Sequence, residues 1–156
     1  MRIIMYIMID LSVLGKCSLF DGLDEEQIGR IMPLMEHEEY EAGKDIIVEG
    51  TPSKRLRVIL EGRVLVVKHG MILSEFGAGD VFGEMEVLDV GPVEATIKTL
   101  VPTSVIALSI DALGEIYEHN LEIYSFLVMN LARDLSRRLR RMNSKAVSHS
   151  PYMEWN

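Results

Sequence analysis

Between Glu39 and Ser109 glycine cuts the chain into short apolar runs, and this spacing restricts the fold more than any other feature. The runs are Asp45–Val48, Leu56–Leu60, Val64–Val67, Ile72–Phe76, Ala95–Leu100 and Ser104–Leu108, punctuated by Gly43, Gly50, Gly62, Gly70, Gly77 and Gly79. Their Val and Ile side chains pack well on a pleated surface, and glycine supplies the positive φ that tight turns demand. Strands at this spacing predict a β-sandwich or barrel. Glu61-Gly62-Arg63, between two of the runs, is a signal for a tight hairpin.

Helical patterns flank this region. In Leu23-Asp24-Glu25-Glu26-Gln27-Ile28, Asp24 is placed to cap a helix and Gln27 to complete a capping box, with Leu23 and Ile28 as a hydrophobic staple. Pro33 disfavours helical backbone in the residue before it, so this helix is expected to end near Met32. After Ser109, Leu121, Val128, Leu135 and Met142 recur every seven residues, and Tyr124, Leu131 and Leu139 share their face. Such a stripe packs either on its own barrel or on a second copy. Because a helix rising about 1.5 Å per residue outruns a small barrel, a homodimer through Leu121–Met142 is expected.

The chain thus divides into an N-terminal segment (1–17), a β-domain with its leading helix (18–120), a dimerisation helix (121–143) and a disordered tail (144–156). The apolar start of the N-terminal segment is interrupted by Asp10, lacks a cleavage site and is too short to span a bilayer. It is expected to be amphipathic or buried, with Met8 an alternative start. No membrane contact is expected.

Composition narrows the function. Residues 1–120 hold 10 Lys and Arg against 21 Asp and Glu, and residues 121–156 hold 6 against 3. An acidic body argues against broad nucleic-acid binding. The arginines at 133, 137, 138, 140 and 141 read as a solvated face near a helix C-terminus rather than a nucleic-acid contact. A 48% hydrophobic content leaves apolar surface for an oligomer interface. The single Cys17 excludes a disulfide framework and fits a reducing, cytoplasmic setting; without a basic neighbour it is expected to be inert. No phosphate-binding or dinucleotide glycine fingerprint and no metal-spaced His pair is present, so neither an enzyme nor a metal site is expected. His37, among Glu38, Glu39 and Glu41, reads as part of a solvated charge run.

Phe20-Asp21-Gly22-Leu23, then Tyr40-Glu41-Ala42-Gly43-Lys44-Asp45-Ile46-Ile47-Val48-Glu49-Gly50, then Val58-Ile59-Leu60-Glu61-Gly62-Arg63-Val64, come in a telling order. Gly79-Asp80-Val81-Phe82-Gly83-Glu84 and Pro92-Val93-Glu94-Ala95-Thr96 follow them. Residues 18–143 resemble the cyclic-nucleotide-binding domain of the catabolite-activator and protein-kinase-regulatory-subunit families. The second and third motifs resemble that family's first and second glycine-turn hairpins. The resemblance implies an α+β, mainly β fold: a double-stranded β-helix, or jelly-roll-like, barrel with an N-terminal helical segment and a long C-terminal helix.

It also implies a pocket. A Gly-Glu turn leading into a short helix exposes backbone N–H groups and forms an anion site. Gly83 would let the backbone approach a ligand closely, and the family's equivalent of Glu84 accepts from a ribose hydroxyl. The candidate pocket comprises Gly83, Glu84, Met85, Glu86, Val87, Val93, Glu94, Ala95 and Thr96. Arg138 of the C-terminal helix is a further candidate, entering from outside. The sequence departs from the family at three places. Val93 stands where the family has its phosphate-pairing arginine, Glu86 replaces a small residue, and Glu94 adds a second carboxylate. Losing a buried charge partner costs about 2–5 kcal/mol, or roughly 30- to several-thousand-fold in affinity. A cyclic nucleotide is the ligand the resemblance implies, yet ordinary cyclic-AMP affinity is not expected. Glu86 itself is a candidate to occupy the phosphate position.

Two functions fit. One is a stand-alone sensor whose small-molecule effector shifts the C-terminal helix; the other is a ligand-independent homodimer that binds a protein partner. Too few residues follow the helix here for a helix-turn-helix, so direct DNA binding is not expected.

Overall fold

The computed structural model describes residues 9, 11–89 and 91–149. Most of the N-terminal segment's apolar start, and tail residues 150–156, lie outside the described residues. A short helix α1 (Leu11–Leu14) and a 3-10 turn at Ser18–Phe20 lead to α2 (Glu25–Ile31). The expected capping box closes α2: Gln27 N donates to Asp24 Oδ1 at 2.8 Å, and Asp24 N to Gln27 Oε1 at 3.0 Å. A 3-10 turn around Pro33 then ends the helical segment.

Eight strands follow: β1 (Glu36–Tyr40), β2 (Asp45–Ile47), β3 (Arg55–Glu61), β4 (Arg63–Lys68), β5 (Met71–Gly77), β6 (Val81–Phe82), β7 (Thr96–Thr99) and β8 (Thr103–Ser109). They form two four-stranded antiparallel sheets, ordered β1-β8-β3-β6 and β2-β7-β4-β5. Helix α3 (Glu84–Leu88) lies between β6 and β7, and α4 (Ile110–His119) and α5 (Leu121–His149) close the chain. The two sheets and flanking helices are the α+β architecture expected.

Two expected hairpins are not hairpins. β1 and β2 lie in different sheets, and so do β3 and β4. Glu61-Gly62-Arg63 is a corner at which the chain changes sheets. Gly62 has φ 105°, and a Cβ there would fall 2.5 Å from Thr103 Oγ1 and 2.7 Å from the Pro102 carbonyl oxygen. Only glycine fits. The true hairpin joins β4 to β5 through His69 and Gly70, both at positive φ.

The central strands of the first sheet, β3 and β8, are buried on both faces, which is why they read as continuous apolar runs. Leu56, Val58, Ile106 and Leu108 meet the helices through Phe20, Ile28, Ile116, Ile123 and Leu127. On the other face Ile59 and Val105 join Ile47, Val64, Phe82, Val93 and Ile97 between the sheets. Helix α5 is pinned to the N-terminal turn by Asn130, whose Nδ2 donates to the carbonyls of Leu19 and Asp21, each at 2.8 Å.

Helix α5 runs 29 residues and continues through 144–149, a segment expected to be disordered. Its inward face is Ile123, Leu127, Asn130, Leu131 and Asp134, so the heptad stripe is split. Leu131 is buried in the chain's own core, and Tyr124 packs against that core with its ring edge-on to Tyr117. Leu121 (58%), Val128 (37%), Leu139 (58%) and Met142 (67%) are exposed. Among the described residues, no helix is long and apolar enough to cross a membrane.

Candidate ligand site

The site begins where β6 ends. Gly83 has φ 82°, and a Cβ there would lie 2.5 Å from the carbonyl oxygen of Arg55 on β3. Its glycine is therefore demanded by the neighbouring strand, whatever binds in front of it. The turn starts α3, whose first residue, Glu84, points inward and is 5% exposed.

Arg138 reaches this carboxylate from α5. Its Nη1 donates to Glu84 Oε1 at 2.6 Å, and Nη2 both donates to the Val81 carbonyl and pairs with Asp134 Oδ2, at 2.7 Å in the latter case. The guanidinium carbon sits 4.4 Å from the centre of the Phe76 ring, a cation–π geometry. One side chain thus ties α5 to β5, β6 and α3. Burial pushes the Glu84 carboxyl above its usual range, and the Arg138 charge opposes that rise.

Around this contact opens a cavity of about 550 Å³. Ile47, Val66, Leu73, Phe76, Phe82 and Ile97 supply apolar walls from the strands. Gly83, Glu84, Met85 and Glu86 form its cassette side, Glu94 and Ala95 its edge, and Leu135, Arg138, Leu139, Arg141, Met142 and Lys145 its helical wall. Seven of the ten candidate pocket residues are brought together here. The other three are not.

Val93 is 3% exposed and packs between the sheets, so the position expected to face a phosphate faces the core. Val87 packs on the core beneath the helices. Thr96 does not line the cavity, and its Oγ1 accepts from Glu49 N at 3.0 Å. Glu86 lines the cavity half-buried and makes no hydrogen bond or ion pair among the described residues. Among the described residues no cassette N–H or cation holds it as an internal phosphate mimic; the charged group that reaches into the cassette is Arg138, from α5. Glu94 lies 4.0 Å from Lys68 Nζ at the rim.

The sequence reading missed Asp134, Phe76, Arg141 and Lys145. Asp134 and Arg138 stand four residues apart with the acid first, a legible helical pairing. Phe76 carries no such signal. Elsewhere, Glu38 of the charge run accepts from Arg57 Nε at 3.0 Å, and His37 Nε2 lies 2.7 Å from Ser104 Oγ. Burial pushes the Cys17 thiol up to about 11, with Asp21 adding to the rise. A groove of about 600 Å³ between the β2–β3 connection and α4 includes Arg55 and Arg57, both paired to carboxylates of β1.

The family model of the cyclic nucleotide-binding domain matches residues 37–120, and the chain belongs to that family. It is 27% identical over 137 residues to the CRP-like cAMP-activated global transcriptional regulator of Mycobacterium tuberculosis, covering 85% of this chain and 59% of the regulator. It is 31% identical over 140 residues to glutaminase 2 of Bradyrhizobium diazoefficiens, covering 89% of this chain and 22% of that protein. The chain therefore spans less than two thirds of the length of either of these curated relatives. Among solved structures, a cyclic nucleotide-binding domain from Methylobacillus flagellatus superposes with a TM-score of 0.81 at 25% identity, covering 93% of this chain and 84% of that one.

Proposed function

We propose that this domain is a regulatory, non-catalytic sensor whose small-molecule effector enters the cavity beside Glu84 and is read out through Arg138 and α5. Cyclic AMP held in the family's manner is not its effector. The observation that carries the reading is the bond from Arg138 Nη1 to Glu84 Oε1, made from the C-terminal helix into the cassette. A ligand that donates to Glu84 Oε1, or whose anionic group draws on Arg138, competes with this contact. Such a ligand has different affinity for the two helix positions, which is the requirement for a conformational response.

The case against ordinary cyclic AMP rests on Val93, which supplies no charge and lies in the core, and on Glu86 and Glu94, which face the cavity. Calorimetric titration with cyclic AMP and then cyclic GMP tests it. No heat at submillimolar nucleotide is expected. Micromolar or tighter binding would show that another cation replaces the missing arginine.

A second reading has its own support. Leu121, Val128 and Met142 of the heptad stripe remain exposed, as they would in a homodimer that binds a protein partner without any ligand. A melting temperature that depends on protein concentration and ignores ligands would favour it.

A further inference from the structure

We infer that the ligand of this cavity is an apolar anion, a ring or chain bearing one phosphate ester or carboxylate, whose anionic group meets α5 at the mouth rather than the cassette at the base. This rests on the sensing role proposed above and specifies its ligand class.

The charges lining the cavity are sorted by wall. Glu84, Glu86 and Glu94 line it from the cassette side, and Glu75 and Asp80 from β5 and the turn after it; the one lysine that lines it from a strand, Lys68, lies 4.0 Å from Glu94. Across from them Arg138, Arg141 and Lys145 line the same space. Offsets of three and then four residues place these three on one stripe of the helix. Arg138 is engaged by Glu84 and Asp134, whereas Arg141 and Lys145 have no acidic partner among the described residues. An entering anion is repelled by the acidic side and attracted by Arg141 and Lys145, which are exposed on α5.

The rest of the lining fixes the ligand's body. Half-buried Phe76 lies inside, and Leu73, Met85, Leu139 and Met142 surround the opening, each more than half exposed. An apolar body seated there removes these side chains from water. Free phosphate or a sugar phosphate would leave them wet.

The test compares 1-naphthyl phosphate, 2-naphthoate and neutral 1-naphthol on the full chain, following binding and, by NMR, the backbone amide signals of α5 residues 127–134, which do not line the cavity. Both anions are expected to bind at least tenfold more tightly than naphthol. The Arg141→Ala/Lys145→Ala double variant, whose side chains are exposed, is expected to weaken the anions about tenfold, since an exposed charge pair is worth up to about fivefold, and to leave naphthol unchanged. Equal binding of naphthol, no binding of either anion at millimolar concentration, or an indifferent double variant would overturn the ligand class. So would a gain in anion affinity in Glu86→Gln larger than the loss in the double variant, because the anion would then sit at the cassette. If the anions bind as expected while α5 signals stay still, the ligand class stands and the sensing role falls. If naphthol binds as tightly as the anions and moves α5, the reverse holds.

Discussion

Arg138 is the only basic group with a buried acid on either side of it among the ion pairs described, and its loss would strand both. In Arg138→Ala the carboxylates of Glu84 and Asp134, now 7% and 12% exposed, lose their shared cation. Removing one partner of a buried pair costs about 3–5 kcal/mol, read as a lower urea midpoint. Lysine is expected to recover less than half of that, because a single ammonium cannot fork between two carboxylates and a carbonyl. Glu84 gives a pH signature. Its folded-state pKa is raised from 4.5, so the folded chain holds that proton more tightly than the unfolded one. The stability it contributes is complete below the ordinary carboxylate pKa and is lost as pH rises through the folded value. The melting-temperature advantage of the parent over Glu84→Gln is therefore expected to shrink as pH is raised from about 4. Val93→Arg, which restores the family's residue, is expected to destabilise the chain by at least about 3 kcal/mol without conferring cyclic-AMP binding, since it buries an unpaired charge between the sheets. A stable variant that binds the nucleotide would overturn that account.

At the level of elements, Asn130 holds α5 to the body. Asn130→Ala leaves two carbonyls without their donor and is expected to cost about 2 kcal/mol, with faster hydrogen exchange in α5 than in the strands. The elements differ in how far their residues announced them. The capping box of α2 was legible because both partners lie within four residues. The apolar runs were legible because β3 and β8 are buried on both faces. Strand β1 escaped notice because Glu36-His37-Glu38-Glu39-Tyr40 has no apolar alternation; it is held by its ladder with β8 and by the Arg57–Glu38 pair. The Gly62 corner was misread as a hairpin because a positive-φ turn looks alike in sequence whichever sheet the next strand joins. In the site, the cassette turn and Arg138 were both visible, but their partnership spans 54 positions. The inward turn of Val93 depends on register between sheets, which no local pattern encodes.

For the molecule as a whole, the open question of assembly falls on α5. Its exposed Leu121, Val128 and Met142 lie along one side of the heptad, and none of the three, replaced with serine together in a triple variant, belongs to the buried cores. If they form a homodimer seam, the triple variant is expected to sediment as a monomer at concentrations where the parent does not, and its melting temperature is expected to lose any dependence on concentration. An unchanged sedimentation profile would place the contact elsewhere or remove it. α5 also sets a mechanical scale. With Asn130 as fulcrum, Arg138 lies eight residues out and His149 nineteen, or about 12 Å and 28 Å along the axis. Were Arg138 to let go, the helix would act as a lever of the third kind: each ångström of lift at the pocket would become more than two at the far tip. A ligand too small to reach beyond the cavity would thereby move a surface that it never touches.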